Sequence, residues 1–145
     1  MELTELNKYK MHSQFVFTIK DSLQQVCDAP TDKSGIYIVY NVTASASELI
    51  YIGSSGQKNK DGSLKVRKAG LGGMKDRIVN GHQFGKVSRK RSWVKQMQIE
   101  NMKTLNVFWW VTYDDEIKDF PTDVERQLLD RFKAENNCLP KWNRV

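Results

Sequence analysis

Residues 34–55 read SGIYIVYNVTASASELIYIGSS, two arms around a small polar turn. Gly35 to Asn41 and Leu49 to Gly53 are rich in β-branched and aromatic residues, the composition of sheet strands. Side chains alternate faces along a strand, so Ile36, Ile38 and Tyr40 share one face and Tyr37 and Val39 the other. On the second arm Ile50 and Ile52 oppose Leu49 and Tyr51. A turn centred near Ala44 pairs Tyr37 with Tyr51, Ile36 with Ile52 and Ile38 with Ile50, and the apolar faces then agree. The expectation is a β-hairpin with two phenols side by side on one face. Such a pair reads in two ways, as ordinary strand tyrosines or as acid–base groups.

Around the hairpin the chain alternates strand and helix signals. Upstream, Phe15, Val16, Phe17 and Ile19 predict a short strand, and Ile19, Leu23 and Val26 a short helix ending before Pro30. Downstream, the polar, glycine-rich residues 54–73 predict a long loop with a small strand near Leu64 to Val66. Met74 and Ile78 are four apart on a helix of two to three turns. Gly85 to Ser92 reads as a basic loop, and Ser92 as the N-cap of a second helix carrying Trp93 and Met97. Leu105 to Tyr113 alternates with both faces apolar, the pattern of a central strand covered on both sides. Pro121-Thr122-Asp123 opens a long helix to about Asn136. The fold class expected is α+β, a small, mainly antiparallel sheet of about three strands flanked by helices.

With 145 residues and 15 aromatics the chain has the means to bury one real core, as a single domain over 1–145. No run approaches the ~20 apolar residues of a membrane span. The N-terminus MELTELNKYK lacks the apolar stretch of a signal peptide, and two cysteines do not make a disulfide scaffold. A soluble cytoplasmic protein is the simplest expectation, and monomer and homodimer both stay open. The net charge of +6 is unevenly spread: residues 58–95 carry 12 basic and 2 acidic side chains, while both flanking segments have a slight acidic excess. Such a block favours a polyanionic partner, nucleic acid above all, or else it is a solvated face.

Gly35-Ile36-Tyr37 followed by Tyr51-Ile52-Gly53 resembles the paired signature of the GIY-YIG nuclease family. The resemblance spans residues 33–143, with residues 1–32 as an N-terminal extension to a core at 33–145. It implies a divalent-metal-dependent endonuclease that hydrolyses DNA phosphodiesters with one Mg²⁺ or Mn²⁺. Arg77, beside Ile78, stands where the family places the arginine that holds the scissile phosphate, with Arg67 a rival in the preceding loop. Glu125, after P-T-D-V and before R-Q-L-L, resembles the glutamate that holds the metal. Helix geometry agrees in part, because Glu125 sits one turn before Leu128 and Leu129 on the apolar stripe of Val124, Leu128, Leu129 and Phe132. An alternative is a stripe-edge glutamate that bends to solvent. Asn143 in Pro-Lys-Trp-Asn resembles the supporting terminal asparagine.

Two departures stand out. His82 is five residues after Arg77, where many members have a histidine or tyrosine four after. Ser54 occupies the place where many have a lysine, which leaves Lys58, Lys65 or Lys75 to supply that charge. Tyr37 is the first choice for the base that activates water, with Tyr51 close by. Arg67, Lys68, Lys75, Lys86, Arg89, Lys90 and Arg91 are the candidate DNA contacts. The alternative function is a catalytically inactive or non-catalytic DNA- or RNA-binding module.

Overall fold

The computed structural model describes residues 1–65 and 73–144. In chain order these form a 3₁₀ turn (Thr4–Leu6), β1 (His12–Thr18), α1 (Leu23–Val26), β2 (Ser34–Val42), β3 (Ser47–Ser55), β4 (Gln57–Lys58), β5 (Leu64–Lys65), α2 (Gly73–Asn80), α3 (Arg89–Ile99), β6 (Thr104–Tyr113), α4 (Pro121–Asn136) and a second 3₁₀ turn (Lys141–Arg144). The domain is α+β. Its main sheet has four strands in the order β1-β6-β2-β3, all antiparallel. The fourth strand comes from the N-terminal segment that lies outside the resemblance. His12 to Thr18 pairs residue by residue with Trp110 to Thr104, so this segment is one edge of the sheet. Strands β4 and β5 form a separate small hairpin; the expected strand residue Val66 lies outside the described residues.

The apolar pattern of β6 places it inside the sheet, between β1 and β2. Leu105, Val107, Trp109 and Val111 enter a core with Met74 and Ile78 of α2 and Trp93 and Met97 of α3. Trp110, on the opposite face, packs with a second core built from Leu6, Tyr9, Ile36, Ile38, Ile52, Val124 and Leu128. Helix α4 therefore covers one face, and α1, α2 and α3 cover the other. Helix α4 starts at Pro121, where a missing N–H costs nothing, and ends on Asn137 in the left-handed region at φ 61.

The hairpin forms, but not in the expected register. Tyr37 faces Gly53, Val39 faces Tyr51 and Ile38 faces Ile52, and the pairing shifts between Val39 and Tyr40 so that Tyr40 faces Leu49. Ile50 is the extra residue of a β-bulge, two residues opposing one. The bulge sends both Ile50 and Tyr51 toward the α2–α3 core, while Ile52 joins the α4 core, so Ile50 and Ile52 do not share a face. The turn itself is Thr43–Ala46, closed by Thr43 N–H on the Ala46 carbonyl at 2.9 Å.

The second helix after the hairpin starts earlier than Ser92. Ser88 is the N-cap residue and α3 begins at Arg89, which places Ser92 within the helix, buried.

Candidate active site

The two tyrosines lie diagonally across β2 and β3, on one face. Their ring centroids are 6.0 Å apart and the rings are tilted by 42°. Both lean over Gly53: a Cβ there would lie 2.6 Å from Tyr37 Cζ and 2.6 Å from Tyr51 Cε2. No side chain fits at that position. The glycine of the second tripeptide is thus a consequence of the pair.

The environments of the two phenols differ. Tyr37 is fully buried, and among the described residues its hydroxyl has no hydrogen-bond partner. Burial holds the Tyr37 phenol well above its ordinary value, against a smaller opposite pull from Arg89 and Arg77. Tyr51 is only half-buried, and its hydroxyl accepts a hydrogen bond from Arg89 Nη2 at 3.0 Å. The Arg89 guanidinium carbon lies 5.6 Å from the Tyr37 ring centre and 5.5 Å from that of Tyr51.

Arg77, half-buried on α2, acts electrostatically on both Tyr37 and Glu125. Glu125 arrives from α4 on the other face of the sheet. Its Oε2 accepts a 2.6 Å hydrogen bond from Ser54 Oγ, one residue beyond Gly53. Burial raises the Glu125 carboxyl above its ordinary value, and the Ser54 hydroxyl and the charges of Arg77 and Arg89 pull it back. Ser54 thus has a role of its own where the resemblance anticipates a lysine. Of the alternative cations, Lys58 lies over the Phe120 ring at 4.8 Å and Lys75 acts on Cys27.

Asn143 closes the free edge of β3. Its Nδ2 donates to the Ile52 carbonyl at 2.9 Å and its Oδ1 accepts from the Ile52 N–H at 2.9 Å. The side-chain amide thus pairs with Ile52 as a neighbouring strand would, and it holds the residue between Tyr51 and Gly53. The turn carrying Asn143 is itself anchored. Glu100, the C-cap residue of α3, accepts from Trp142 Nε1 at 2.8 Å and bridges Lys141 Nζ at 2.7 Å, and the Trp142 ring packs on Trp93 and Phe84.

Other sequence candidates lie apart. His82 is exposed, past the end of α2, and pairs through its backbone with Ser88. No side-chain hydrogen bond or ion pair joins it to the tyrosines among the described residues. Lys86, Lys90 and Arg91 are exposed and Lys75 is half-buried. Arg67 and Lys68 lie outside the described residues. Arg89 is a correction: it is 1% exposed and turned into the protein, so it is no part of a surface that meets DNA. An N-cap at Ser92 leaves Arg89 in the basic loop, whereas the helix begins at Arg89 itself. Arg89 sits one turn before Trp93 and two before Met97, on the same buried stripe, and that spacing was the available signal.

Among the described residues no three His, Cys, Asp or Glu side chains cluster to hold a metal ion. A single carboxylate beside a phosphate site is nevertheless a donor set that Mg²⁺ uses, since it keeps several waters and takes the rest of its ligands from substrate. Glu125, with one oxygen engaged by Ser54, fits that arrangement. No helix among the described residues is long and apolar enough to cross a membrane. Fold and site together define an α+β domain with two tyrosines, two arginines and a carboxylate at one end of an antiparallel hairpin. No protein-family model matches the chain, and neither a curated protein nor a solved structure matches it.

Proposed function

We propose that the chain is a metal-dependent DNA endonuclease of the GIY-YIG type. The observation that carries this reading is convergence. Tyr37 from β2, Glu125 from α4 and Asn143 from the C-terminal turn meet β3 at residues 51–54, and Arg77 from α2 acts through space on Tyr37 and Glu125. Ordinary strand tyrosines do not require an arginine, a carboxylate and an asparagine from three further elements.

Tyr51 takes the role of base in place of Tyr37. The Tyr37 oxygen is sealed from solvent and held protonated by burial, whereas a base must reach the water it activates. With its own proton first given up to solvent, the Tyr51 phenolate oxygen removes a proton from water, the water oxygen bonds to phosphorus, and the bond from phosphorus to the 3′ oxygen breaks. The departing oxygen takes a proton from solvent. Arg77 holds the phosphate through its planar fork. Glu125 would hold the Mg²⁺ or Mn²⁺, which when bound supplies positive charge at the phosphate.

The test is cleavage of supercoiled plasmid with Mg²⁺ and with chelator, for wild type and Glu125→Gln. Wild type should cut only with metal. The variant should fold and bind DNA in Ca²⁺ yet not cut. Wild type that binds DNA but cuts under no divalent metal would replace this reading by a non-catalytic DNA-binding module.

A further inference from the structure

We propose that Arg89 is a positioning residue of this site, holding the Tyr51 oxygen in place and tying it to the turn that follows Arg77. The inference rests on the nuclease reading above and adds to it a residue outside the motif positions.

Arg89 is 1% exposed, and every nitrogen of its guanidinium is engaged. Nε donates to Gln83 Oε1 at 2.9 Å, Nη1 to the Arg77 carbonyl at 2.6 Å, and Nη2 to the Tyr51 hydroxyl at 3.0 Å. The seat is built for it. Gln83 Oε1 also accepts from Trp93 Nε1 at 3.0 Å, which fixes that amide. Gly81 leaves the space, since a Cβ there would lie 2.3 Å from Arg89 Nη1.

All three acceptors are neutral, and no ion pair of Arg89 occurs among the described residues. A buried cation is costly unless an anion accompanies it. The Glu125 carboxylate acts on it through space. The three neutral oxygens satisfy its donors without supplying a countercharge in contact. Here one of the three bonds ends on the phenol that the reaction uses, and a guanidinium donor binds an anionic oxygen more strongly than a neutral one. The neighbouring Lys90 and Arg91 are exposed, so the inward turn belongs to Arg89 and not to the whole basic run. The charged groups around the tyrosine pair are then Arg77 from α2, Arg89 from α3 and Glu125 from α4.

The test compares Arg89→Met, Arg89→Lys and the control Lys103→Met, an exposed lysine outside the site. Three quantities are read: kcat against KM on plasmid, DNA affinity in Ca²⁺, and the ¹³Cζ resonance of Tyr51 in the free protein. Arg89→Met should lower kcat by about a hundredfold, the scale of losing an oriented base, with KM and affinity nearly unchanged and the Tyr51 resonance displaced. Arg89→Lys keeps the charge without the three-way fork, so it should recover part of kcat. Lys103→Met should match wild type. A wild-type rate in Arg89→Lys, an unmoved Tyr51 resonance in folded Arg89→Met, or a rise in KM at constant kcat would each overturn the assignment. If Arg89→Met does not fold, the intermediate kcat of Arg89→Lys decides. If wild type does not cut at all, the nuclease reading fails, while the resonance separately tests the contact between Arg89 and Tyr51.

Discussion

Replacing Asn143 tests the link between the C-terminal turn and the hairpin. Asn143→Ala removes both 2.9 Å hydrogen bonds to the Ile52 backbone, on the side of β3 that no strand covers among the described residues. Each such bond contributes a net ~0.5–1.5 kcal/mol, so the pair is worth about 2 kcal/mol. Asn143 is half-buried, so water reaches the freed N–H and carbonyl and keeps the loss from growing further. For a domain of this size each kcal/mol moves the melting temperature by about 2–4 °C, which predicts a fall of about 4–8 °C. Urea denaturation should show the same loss as a lower midpoint at unchanged slope. Asn143→Asp separates the two bonds. Its carboxylate still accepts from the Ile52 N–H but sets a second oxygen against the Ile52 carbonyl, which disfavours the charged form. The substituted carboxyl is then raised in the folded state. The stability deficit is present at neutral pH and narrows as pH falls toward the ordinary aspartate value of about 3.9, where the protonated group donates again. Plasmid cleavage should fall alongside, because Ile52 sits between Tyr51 and Gly53. If Asn143→Ala melts within a degree of wild type, the amide does not hold the strand edge.

The two tyrosines should separate cleanly. Tyr51→Phe should lose about a hundredfold or more in cleavage rate, whereas Tyr37→Phe deletes a buried hydroxyl with no partner among the described residues and should melt no lower than wild type; the opposite order of cleavage losses would return the base to Tyr37. Lys86, Lys90 and Arg91 replaced together by alanine should weaken binding to all DNA sequences alike and flatten the log–log salt slope by up to about three units, at about 0.9 per phosphate contact. An unchanged slope would make that exposed face a solubilising one. Burial pushes the Cys27 thiol up to about 11 from an ordinary 9.0, so its contribution to stability is full below pH 9 and is lost as pH rises toward 11. Cys27→Ala, followed by denaturation across that range, should show a flatter alkaline decline than wild type, and an identical decline would refute the shift.

Much of the architecture was legible because it is local. Alternation in residues 35–41 and 105–113 sets strands whatever surrounds them, Pro121 starts a helix through its own ring, and the stripe of Val124 and Leu128 sets which side of that helix is buried. The α+β class follows from these patterns. Helix geometry left Glu125, beside that stripe, open between the interior and solvent, and its bond to Ser54 of β3 is what turns it inward. What the sequence left open depended on distant partners. The bulge at Ile50 arises where two strands settle their pairing against two different cores, and nothing within residues 47–55 chooses between neighbouring registers. The segment around β1 reads as an isolated strand, and only the unpaired side of β6 makes it part of the sheet. Arg89, Lys90 and Arg91 are consecutive basic residues, equivalent by charge. Tertiary structure alone separates them, because a buried guanidinium needs acceptors, and those at Arg77, Gln83 and Tyr51 come together only when α2, the following loop and β3 are packed. The sequence by itself determined which side chains were available to the site. Packing decided which tyrosine is sealed and which is half-buried, and which arginine bonds the latter, since burial and hydrogen-bond supply are properties of the assembled core.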